Sequence, residues 1–267
     1  MKSFVCLPTP ALIPYVSHYC YANYTTKKHK EQGSFPYGGT VISISLKDET
    51  YHFELNNVIH NQKSNLAGIL ETATYIEHLK NHNFFLIFFT PLGIFKLLGI
   101  PQSELANTFV DLENIIKDSL QLRELLAFAK SKDQIISIVN SYLLKKINRA
   151  QYPDLYDYAI KKMFESCGTI RINTLCDHLN VSQRSFERHF KHIVGIVPKS
   201  YNRVLRLQQV YDKFLCNSNS MNLYDIIYNL GYYDQAHFIH DLKKYTNRTP
   251  GMIHSTSHEI YDMYFNS

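Results

Sequence analysis

Residues 172–201 read INTLCDHLNVSQRSFERHFKHIVGIVPKSY, and residues 223–253 read LYDIIYNLGYYDQAHFIHDLKKYTNRTPGMI. The two stretches share a pattern of apolar residues, a polar pair and a proline at a spacing of 52 residues. The matched positions are Leu175 and Ile227, Ser182 and Asp234, Gln183 and Gln235, Phe186 and Phe238, Phe190 and Leu242, Gly195 and Asn247, Pro198 and Pro250, and Tyr201 and Ile253. A repeat of this length predicts one structural unit that the chain uses twice.

The first copy has the features of a short helix, a tight turn and a second helix. Residues 172–179 predict the short helix, and Asn180 follows because asparagine tolerates the left-handed conformation of a helix exit. Ser182 is suited to the N-cap of the second helix. Three apolar residues at helical spacing then predict one buried face on that second helix. They are Phe186, Phe190 and Ile193.

The second copy repeats these features. Residues 223–230 predict the short helix, Gly231 makes the turn, and Asp234 lies near the start of the next helix. The apolar face of that helix is formed by Phe238, Leu242 and Tyr245. Two helices joined by a tight turn form a helix-turn-helix, whose second helix can enter the major groove of DNA. The two units therefore cover about residues 172–195 and 223–246.

The residues opposite the buried faces are expected to contact DNA, since each residue advances about 100° around a helix. The first unit presents Arg184, Arg188 and Lys191, flanked by Gln183 and Glu187. The second presents Ala236, His240 and Lys243, flanked by Gln235 and Ile239. The first face carries donors suited to guanine edges and phosphates, whereas the second suits thymine methyl groups and DNA shape. The alternative for each single residue is a solvated helix face.

This segment resembles the DNA-binding domain of the AraC/XylS transcriptional regulators, in which a long helix joins two helix-turn-helix units. The family pattern of the second unit is I-x-x-I-A, then G-F-x-[DS]-Q-S-x-F-x-R-x-F-K, then G-x-T-P. The residues in register are Leu223, Ile226, Gly231, Tyr232, Asp234, Gln235, His237, Phe238, Lys243, Thr249 and Pro250. In the first unit they are Leu175, Leu179, Ser182, Phe186, Arg188, Phe190, Gly195 and Pro198. Residues 203–207 resemble the start of the joining helix, which is expected over residues 198–215.

The second unit departs from the family pattern at several positions. Ala236 replaces the usual Ser, His240 the usual Arg, Leu242 the usual Phe and Asn247 the usual Gly. The changes at core positions keep apolar or small residues, so they leave the fold intact. The loss of Ser and Arg weakens the base contacts that the resemblance implies for the second recognition helix.

Length, charge and cysteine content limit the classes of protein to which the chain can belong. The chain has 267 residues and a formal net charge of +5, which fits two domains. Between Gly168 and Gly251 there are 11 Lys and Arg against 6 Asp and Glu, so the repeat carries a basic surplus equal to that of the whole chain. Five cysteines without paired spacing favour a reducing compartment, and neither a signal peptide nor a membrane-length apolar run is found. We therefore expect a cytoplasmic protein that does not contact a membrane.

The first hundred residues predict short strands, typical of a small barrel or a sandwich. The expected strands cover residues 16–24, 40–46, 50–55, 65–70, 74–78 and 84–89. Helices are then expected over residues 91–98, 101–107, 120–129 and 134–147. This half is similar to the N-terminal domain that many AraC-type regulators carry. The residues on which the similarity rests are Pro10, Leu12-Ile13, Tyr15-Val16, Pro36-Tyr37-Gly38-Gly39, Phe89-Thr90-Pro91-Leu92-Gly93, Leu97-Leu98-Gly99-Ile100-Pro101 and Ser103-Glu104-Leu105. The resemblance implies a sensory or dimerising module and assigns no ligand residues.

The last two of these helices leave two alternatives open. Their apolar faces comprise Leu122, Leu125, Leu126, Ile135, Ile138, Val139 and Tyr142. They either pair two copies of the chain or pack on their own β unit.

No motif in the sequence indicates catalysis or metal binding. The chain lacks GxSxG, Walker and HExxH patterns. His189 and His192 are three residues apart, as are His237 and His240, but no cysteine or carboxylate cluster accompanies either pair to complete a zinc site. We therefore expect neither an enzyme nor a metal or other cofactor.

Taken together, the patterns predict an α+β protein. Residues 1–148 form a small β-barrel or sandwich with trailing helices, expected to bind an effector or to dimerise. Residues 154–267 form an all-α DNA-binding domain of two helix-turn-helix units joined by a long helix. The expected function is sequence-specific regulation of transcription through a double-stranded DNA operator. RNA polymerase, a small-molecule effector and a second copy are further expected partners. The alternative is a helical protein-interaction adaptor without specific DNA reading.

Overall fold

Ten strands and nine α-helices lie in the part of the chain that the structure, a computed structural model, describes. That part comprises residues 3–23, 30–34, 37–46, 51–55, 58–78, 83–147, 154–216, 227–228, 230–246 and 249. The strands are β1 (Phe4–Cys6), β2 (Val16–Asn23), β3 (Lys30–Ser34), β4 (Val41–Ser45), β5 (Tyr51–Leu55), β6 (Val58–Gln62), β7 (Ser64–Ala67), β8 (Thr74–His78), β9 (Asn83–Phe89) and β10 (Phe109–Asp111). They form two antiparallel sheets.

The larger sheet has six strands in the order β1-β2-β9-β4-β7-β10. Its central strand β9 is a continuous apolar run, as expected for a strand covered on both faces. Phe85, Ile87 and Phe89 belong to one buried cluster, whereas Phe84, Leu86 and Phe88 belong to another. The smaller sheet has the order β3-β8-β5-β6. The strands thus form two open sheets, without closure into one barrel.

Four helices follow the sheets in the first half. They are α1 (Gly93–Leu98), α2 (Leu112–Ile115), α3 (Ser119–Phe128) and α4 (Lys132–Leu144). Ser131 caps α4 by accepting a hydrogen bond from Gln134 N at 3.2 Å. The prediction of a short helix over residues 101–107 is wrong, because only Gln102–Glu104 is helical, as one turn of 3-10 helix. Asn107 then turns the chain with a φ of 56°.

The apolar faces of α3 and α4 pack mainly against their own β unit. Most of the residues expected on these faces join the main core cluster, either fully or partly buried. They are Leu122, Leu126, Ile135, Ile138, Val139 and Tyr142. Leu125 differs, since 57% of its surface is exposed, and it lies near the exposed Phe128 on α3.

The C-terminal half is helical, as the repeat predicts. Its helices are α5 (Leu155–Glu165), α6 (Ile172–Leu179), α7 (Gln183–Val194), α8 (Pro198–Cys216) and α9 (Gln235–Thr246). Helix α8 begins at a proline, whose fixed φ suits the first turn of a helix. The expected linker at residues 148–153 and most of the short helix expected over residues 223–230 lie outside the described residues.

The core of the first helix-turn-helix unit is shared with the first half of the chain. Ile69 and Leu92 belong to the same buried cluster as Phe186 and Phe190. Around this cluster, Lys96 Nζ lies 2.6 Å from Asp157 Oδ1. The Phe95 ring meets the edge of His192 at a centroid distance of 5.7 Å. The two halves therefore pack on one another through buried apolar surface and polar contacts.

Candidate nucleic-acid interface

The turn of the first unit is built by Asn180 and Ser182, as the sequence predicts. Asn180 ends α6 in the left-handed conformation, with φ 53° and ψ 45°. Val181 N then donates to Cys176 O at 3.1 Å, which closes the end of α6. Ser182 Oγ accepts from Ser185 N at 3.3 Å and so caps the start of α7.

The turn of the second unit repeats these contacts. Gly231 takes the left-handed conformation with a φ of 72°, which glycine adopts without the steric cost of a Cβ. Tyr232 N donates to Ile227 O at 3.2 Å, as Val181 N does to Cys176 O. Asp234 Oδ1 accepts from His237 N at 2.7 Å and caps α9.

The two turns differ in length by one residue. The caps Ser182 and Asp234 are 52 residues apart, as the repeat predicts, but the acceptor carbonyls Cys176 O and Ile227 O are 51 apart. The pairing of Leu175 with Ile227 is therefore wrong by one residue. The additional residue of the second turn lies between Gly231 and Asp234, directly before α9.

The predicted reading face of α7 points away from the core. Phe186 and Phe190 are buried, whereas Arg184, Arg188 and Lys191 are exposed. The flanking residues of this face also contact one another, since Gln183 Nε2 donates to Glu187 Oε1 at 2.7 Å. Burial raises the pKa of Tyr156, which stacks on Phe186, and the nearby Arg188 guanidinium partly offsets that rise.

The predicted face of α9 is exposed in the same way. Phe238, Leu242 and Tyr245 are buried, and the residues on the opposite side are exposed or half-buried. Those residues are Gln235, Ala236, Ile239, His240 and Lys243. This face carries one lysine, Lys243, and no arginine, and the apolar Ala236 and Ile239 lie on it, so its chemistry differs from that of α7.

Helix α8 holds the second unit against the first. The Arg203 guanidinium lies 4.9 Å from the centre of the Tyr245 ring, and its Nε lies 3.9 Å from Asp241 Oδ2. Arg206 lies 5.5 Å from the centre of the Tyr232 ring. Burial raises the pKa of Tyr232 to about 12, despite the opposing effect of Arg206. The two arginines of the joining helix therefore contact α9 and the turn before it.

Two tyrosines at this surface were not among the predicted contact residues. Tyr233 has 92% of its surface exposed, and Tyr228, which precedes the turn, is also exposed. Tyr233 belongs to the longer turn and immediately precedes the cap of α9. The sequence signal for this exposed tyrosine is the pair of tyrosines that follows Gly231. Tyr232 is buried in the core, which leaves Tyr233 at the surface.

Comparison with known families agrees with this geometry. Residues 175–254 match a family described as a helix-turn-helix domain, and residues 5–111 match a domain of unknown function, DUF6597. The chain is a DNA-binding transcription regulator of AraC type. No curated protein sequence matches it. The matched helix-turn-helix segment covers most of both units described above, from the middle of α6 to beyond α9.

Two solved structures of ToxT, an AraC-family regulator, have the same fold. A point variant of apo ToxT from Vibrio cholerae strain SCE256 is 12% identical, with a TM-score of 0.52, over 88% of this chain and 96% of that chain. A second structure of ToxT from Vibrio cholerae is 13% identical, with a TM-score of 0.51, over 88% of this chain and 97% of that chain. The C-terminal domain of AraT from Geobacillus stearothermophilus is 20% identical, with a TM-score of 0.37, over 40% of this chain and 89% of that chain.

Within the described ranges, no three His, Cys, Asp or Glu side chains come together in a way that could hold a metal ion. Across the same residues, no helix combines the length and the apolar character needed to span a bilayer.

Proposed function

We propose that α7 and α9 enter successive major grooves of a double-stranded DNA operator, about 34 Å apart. The observation that carries this proposal is the matched construction of the two helices. Each is capped by a polar side chain after a left-handed turn, buries an aromatic face and exposes the opposite face. The N-terminal part of such a helix meets the base edges in helix-turn-helix proteins.

The first half-site is read by forked donors. Arg184 and Arg188 are exposed on α7, and a guanidinium can donate two hydrogen bonds to the O6 and N7 atoms of guanine. Gln183 and Glu187 are held together at 2.7 Å, which positions both side chains beside the arginines. Lys191 lies one turn further along and is placed to contact phosphate. This half-site is therefore read strictly.

The second half-site is read loosely. Ala236 and Ile239 offer apolar contact to thymine methyl groups, while Gln235 and His240 offer hydrogen bonds. Lys243 offers a single charge to phosphate. Because this face lacks a guanidinium fork, base selectivity is lower than at the first half-site.

Selection of bound sequences from random duplex DNA by the full-length protein tests the proposal. The expected product is a bipartite motif with one strictly defined half and one degenerate half. The centres of the halves should lie about 10 base pairs apart. Enrichment of no motif, under salt conditions where the protein still binds DNA, would contradict site-specific reading by these helices.

Lys243→Ala should weaken binding to all sequences alike. A phosphate contact carries no base information, so the variant should lower the slope of log affinity against log salt by about one unit. Titrations at several salt concentrations against the selected site and a scrambled site measure both effects. Lys145→Ala, which removes an exposed lysine from the end of α4, is the matched control and should leave the slope unchanged. A change in base preference without a change in slope would contradict the phosphate assignment.

Tyr233→Phe should weaken DNA binding by roughly two- to tenfold, the effect of losing one hydrogen bond of about 0.5–1.5 kcal/mol. The exposed hydroxyl of Tyr233, next to the capped start of α9, is placed to donate to a phosphate oxygen. Tyr158→Phe is the control, since it removes the hydroxyl of an exposed tyrosine on α5, outside both recognition helices. Equal affinities for the two variants would remove Tyr233 from the interface.

The first domain is proposed to regulate DNA binding through its contact with both units. A small-molecule effector, RNA polymerase and a second copy of the chain stay predictions, as does the cytoplasmic location expected from the cysteine usage. For self-association, the large apolar side chains that remain exposed on α3 are Leu120, Leu125 and Phe128. The proposed DNA-binding domain over residues 154–267 would, if isolated, expose the surface that Ile69 and Leu92 cover.

A further inference from the structure

At the C-terminal end of each recognition helix, a backbone carbonyl group accepts a hydrogen bond from the first domain. The last carbonyl groups of a helix have no partner within the helix and need donors from elsewhere. At the end of α7, Ile193 O accepts from Gln102 Nε2 at 2.5 Å. At the end of α9, Tyr245 O accepts from Ala73 N at 2.6 Å. The first domain therefore caps the two helices that are proposed to read DNA.

The two donors belong to one tightly packed unit, called here the capping platform and formed by residues 68–73 and 102–108. Gly68 N donates to Thr108 O at 3.1 Å. Gly68 also approaches the Leu105 backbone so closely that an added Cβ would lie 1.9 Å from Leu105 O. Only glycine permits this approach, so the two segments of the platform are in direct backbone contact.

Asn107 joins the same two segments by hydrogen bonds from its side chain and its backbone. Its backbone N donates to Ile69 O at 3.0 Å. Its side-chain Oδ1 accepts from Glu71 N at 2.8 Å, while Nδ2 donates to Glu71 Oε2 at 2.9 Å. The loop that ends at Ala73 is thus tied to the turn that follows Gln102.

Both the nitrogen and the oxygen of the Gln102 side-chain amide form hydrogen bonds. Its Nε2 also donates to Pro91 O at 2.7 Å, and its Oε1 accepts from Thr40 Oγ1 at 2.5 Å. The side chain is buried, so its position is set by partners on three separate segments. A buried amide with every partner in place holds one orientation, which makes Gln102 suited to position the end of α7.

We infer that the capping platform fixes the distance and rotation between α7 and α9, and that it thereby sets the half-site spacing that the protein accepts. This inference rests on the proposed reading of two successive grooves. Helix α8 supplies one connection between the units, through Arg203 and Arg206, and the platform supplies a second. Two connections define a relative orientation more firmly than one. Gln102 and Asn107 are therefore positioning residues for DNA binding.

The test uses full-length Gln102→Met and Asn107→Gly proteins. Methionine keeps the bulk of Gln102 but cannot donate to Ile193 O. Glycine keeps the left-handed backbone at position 107, where φ is 56°, but removes both side-chain bonds to Glu71. Gln121→Met, at an exposed glutamine of α3, is the control. If Gln102→Met does not fold, Asn107→Gly still decides the question.

Each protein is titrated against the selected operator, against operators with one to three base pairs added between the half-sites, and against a duplex with the first half-site alone. Three added base pairs rotate one half-site by roughly 100°, so wild-type affinity should fall at least about tenfold, as bivalent binding is lost. The control should behave like the wild type. For each of the two variants, the affinities for the operators with zero to three added base pairs should differ by no more than about threefold. The affinity for the single half-site should equal that of the wild type.

Two outcomes would overturn the inference. One is a spacing profile for both variants as steep as that of the wild type. The other is a loss of affinity for the single half-site equal to the loss for the full operator, since the residues would then act on folding alone. Failure of the proposed function has a different signature, because the wild-type protein would then select no bipartite site at all.

Discussion

Phe190→Ala should lower the free energy of unfolding by about 3–5 kcal/mol, the usual cost of truncating a buried phenylalanine. The Phe190 side chain is 0% exposed. Its ring lies 5.5 Å from that of Phe186 on the same helix and 5.6 Å from that of Tyr201 on α8. Tyr201 in turn donates to Gly38 O in the first domain at 3.1 Å. Loss of the Phe190 ring would therefore leave a cavity where three parts of the protein meet.

Phe128→Ala is the matched control for this experiment. It removes the same side chain from α3, where 81% of its surface is exposed, so the change in stability should stay within about 0.5 kcal/mol. Urea denaturation followed by circular dichroism measures both variants. Phe190→Ala should also weaken DNA binding, because α7 loses the contact that sets its position on α8. Equal stability of the two variants would show that Phe190 is not part of the core.

The features that could be predicted from the sequence are those encoded locally. The caps Ser182 and Asp234, the left-handed turns at Asn180 and Gly231, and the buried faces of α7 and α9 each depend on residues within about one or two turns. Helix periodicity and cap chemistry operate over that range. The reading faces follow from the same periodicity, since a helix that buries one side exposes the other. What those faces contact stays a prediction.

Whether a strand could be predicted from the sequence depended on its position in the sheet. The six expected strands correspond to β2, β4, β5, β7, β8 and β9, which all lie inside their sheets. The four that were missed are β1, β3, β6 and β10, which form the sheet edges. Edge strands need less apolar surface, and sequences such as KEQGS in β3 carry no alternating apolar pattern. Pairing with a neighbour distant in sequence makes these segments strands.

The contacts between the two halves of the chain could not be predicted, because no local pattern encodes them. Gln102 lies in a short polar stretch, yet its partners Thr40 and Ile193 are 62 and 91 residues away. A lone glutamine has no periodic signal, so its role emerges only when the fold brings those groups together. The pairing of Leu175 with Ile227 was wrong for another reason. The caps and buried faces align at a constant spacing, and an added residue between elements leaves that agreement intact.

Arg188→Ala should abolish base selectivity at one or two base pairs of the first half-site. A bidentate contact from arginine to guanine contributes about 1–3 kcal/mol of discrimination, or roughly 5- to 150-fold in relative affinity. Arg188 is exposed on α7, opposite the buried pair Phe186 and Phe190, and so lies at the centre of the proposed reading face. Titration against a panel of single-base changes in the selected operator measures the loss position by position.

Two further variants separate base reading from charge and distinguish the two helices. Arg188→Lys keeps the positive charge but loses the planar fork, so it should lose most of the selectivity while retaining more overall affinity than Arg188→Ala. His240→Ala, at the matching position of α9, removes at most one hydrogen bond and should change the profile less. If His240→Ala instead collapses the preference profile and Arg188→Ala leaves it intact, the strict and loose half-sites have been assigned to the wrong helices. Selectivity would then depend on α9, through the hydrogen bond of His240 and the apolar contacts of Ala236 and Ile239 with thymine methyl groups.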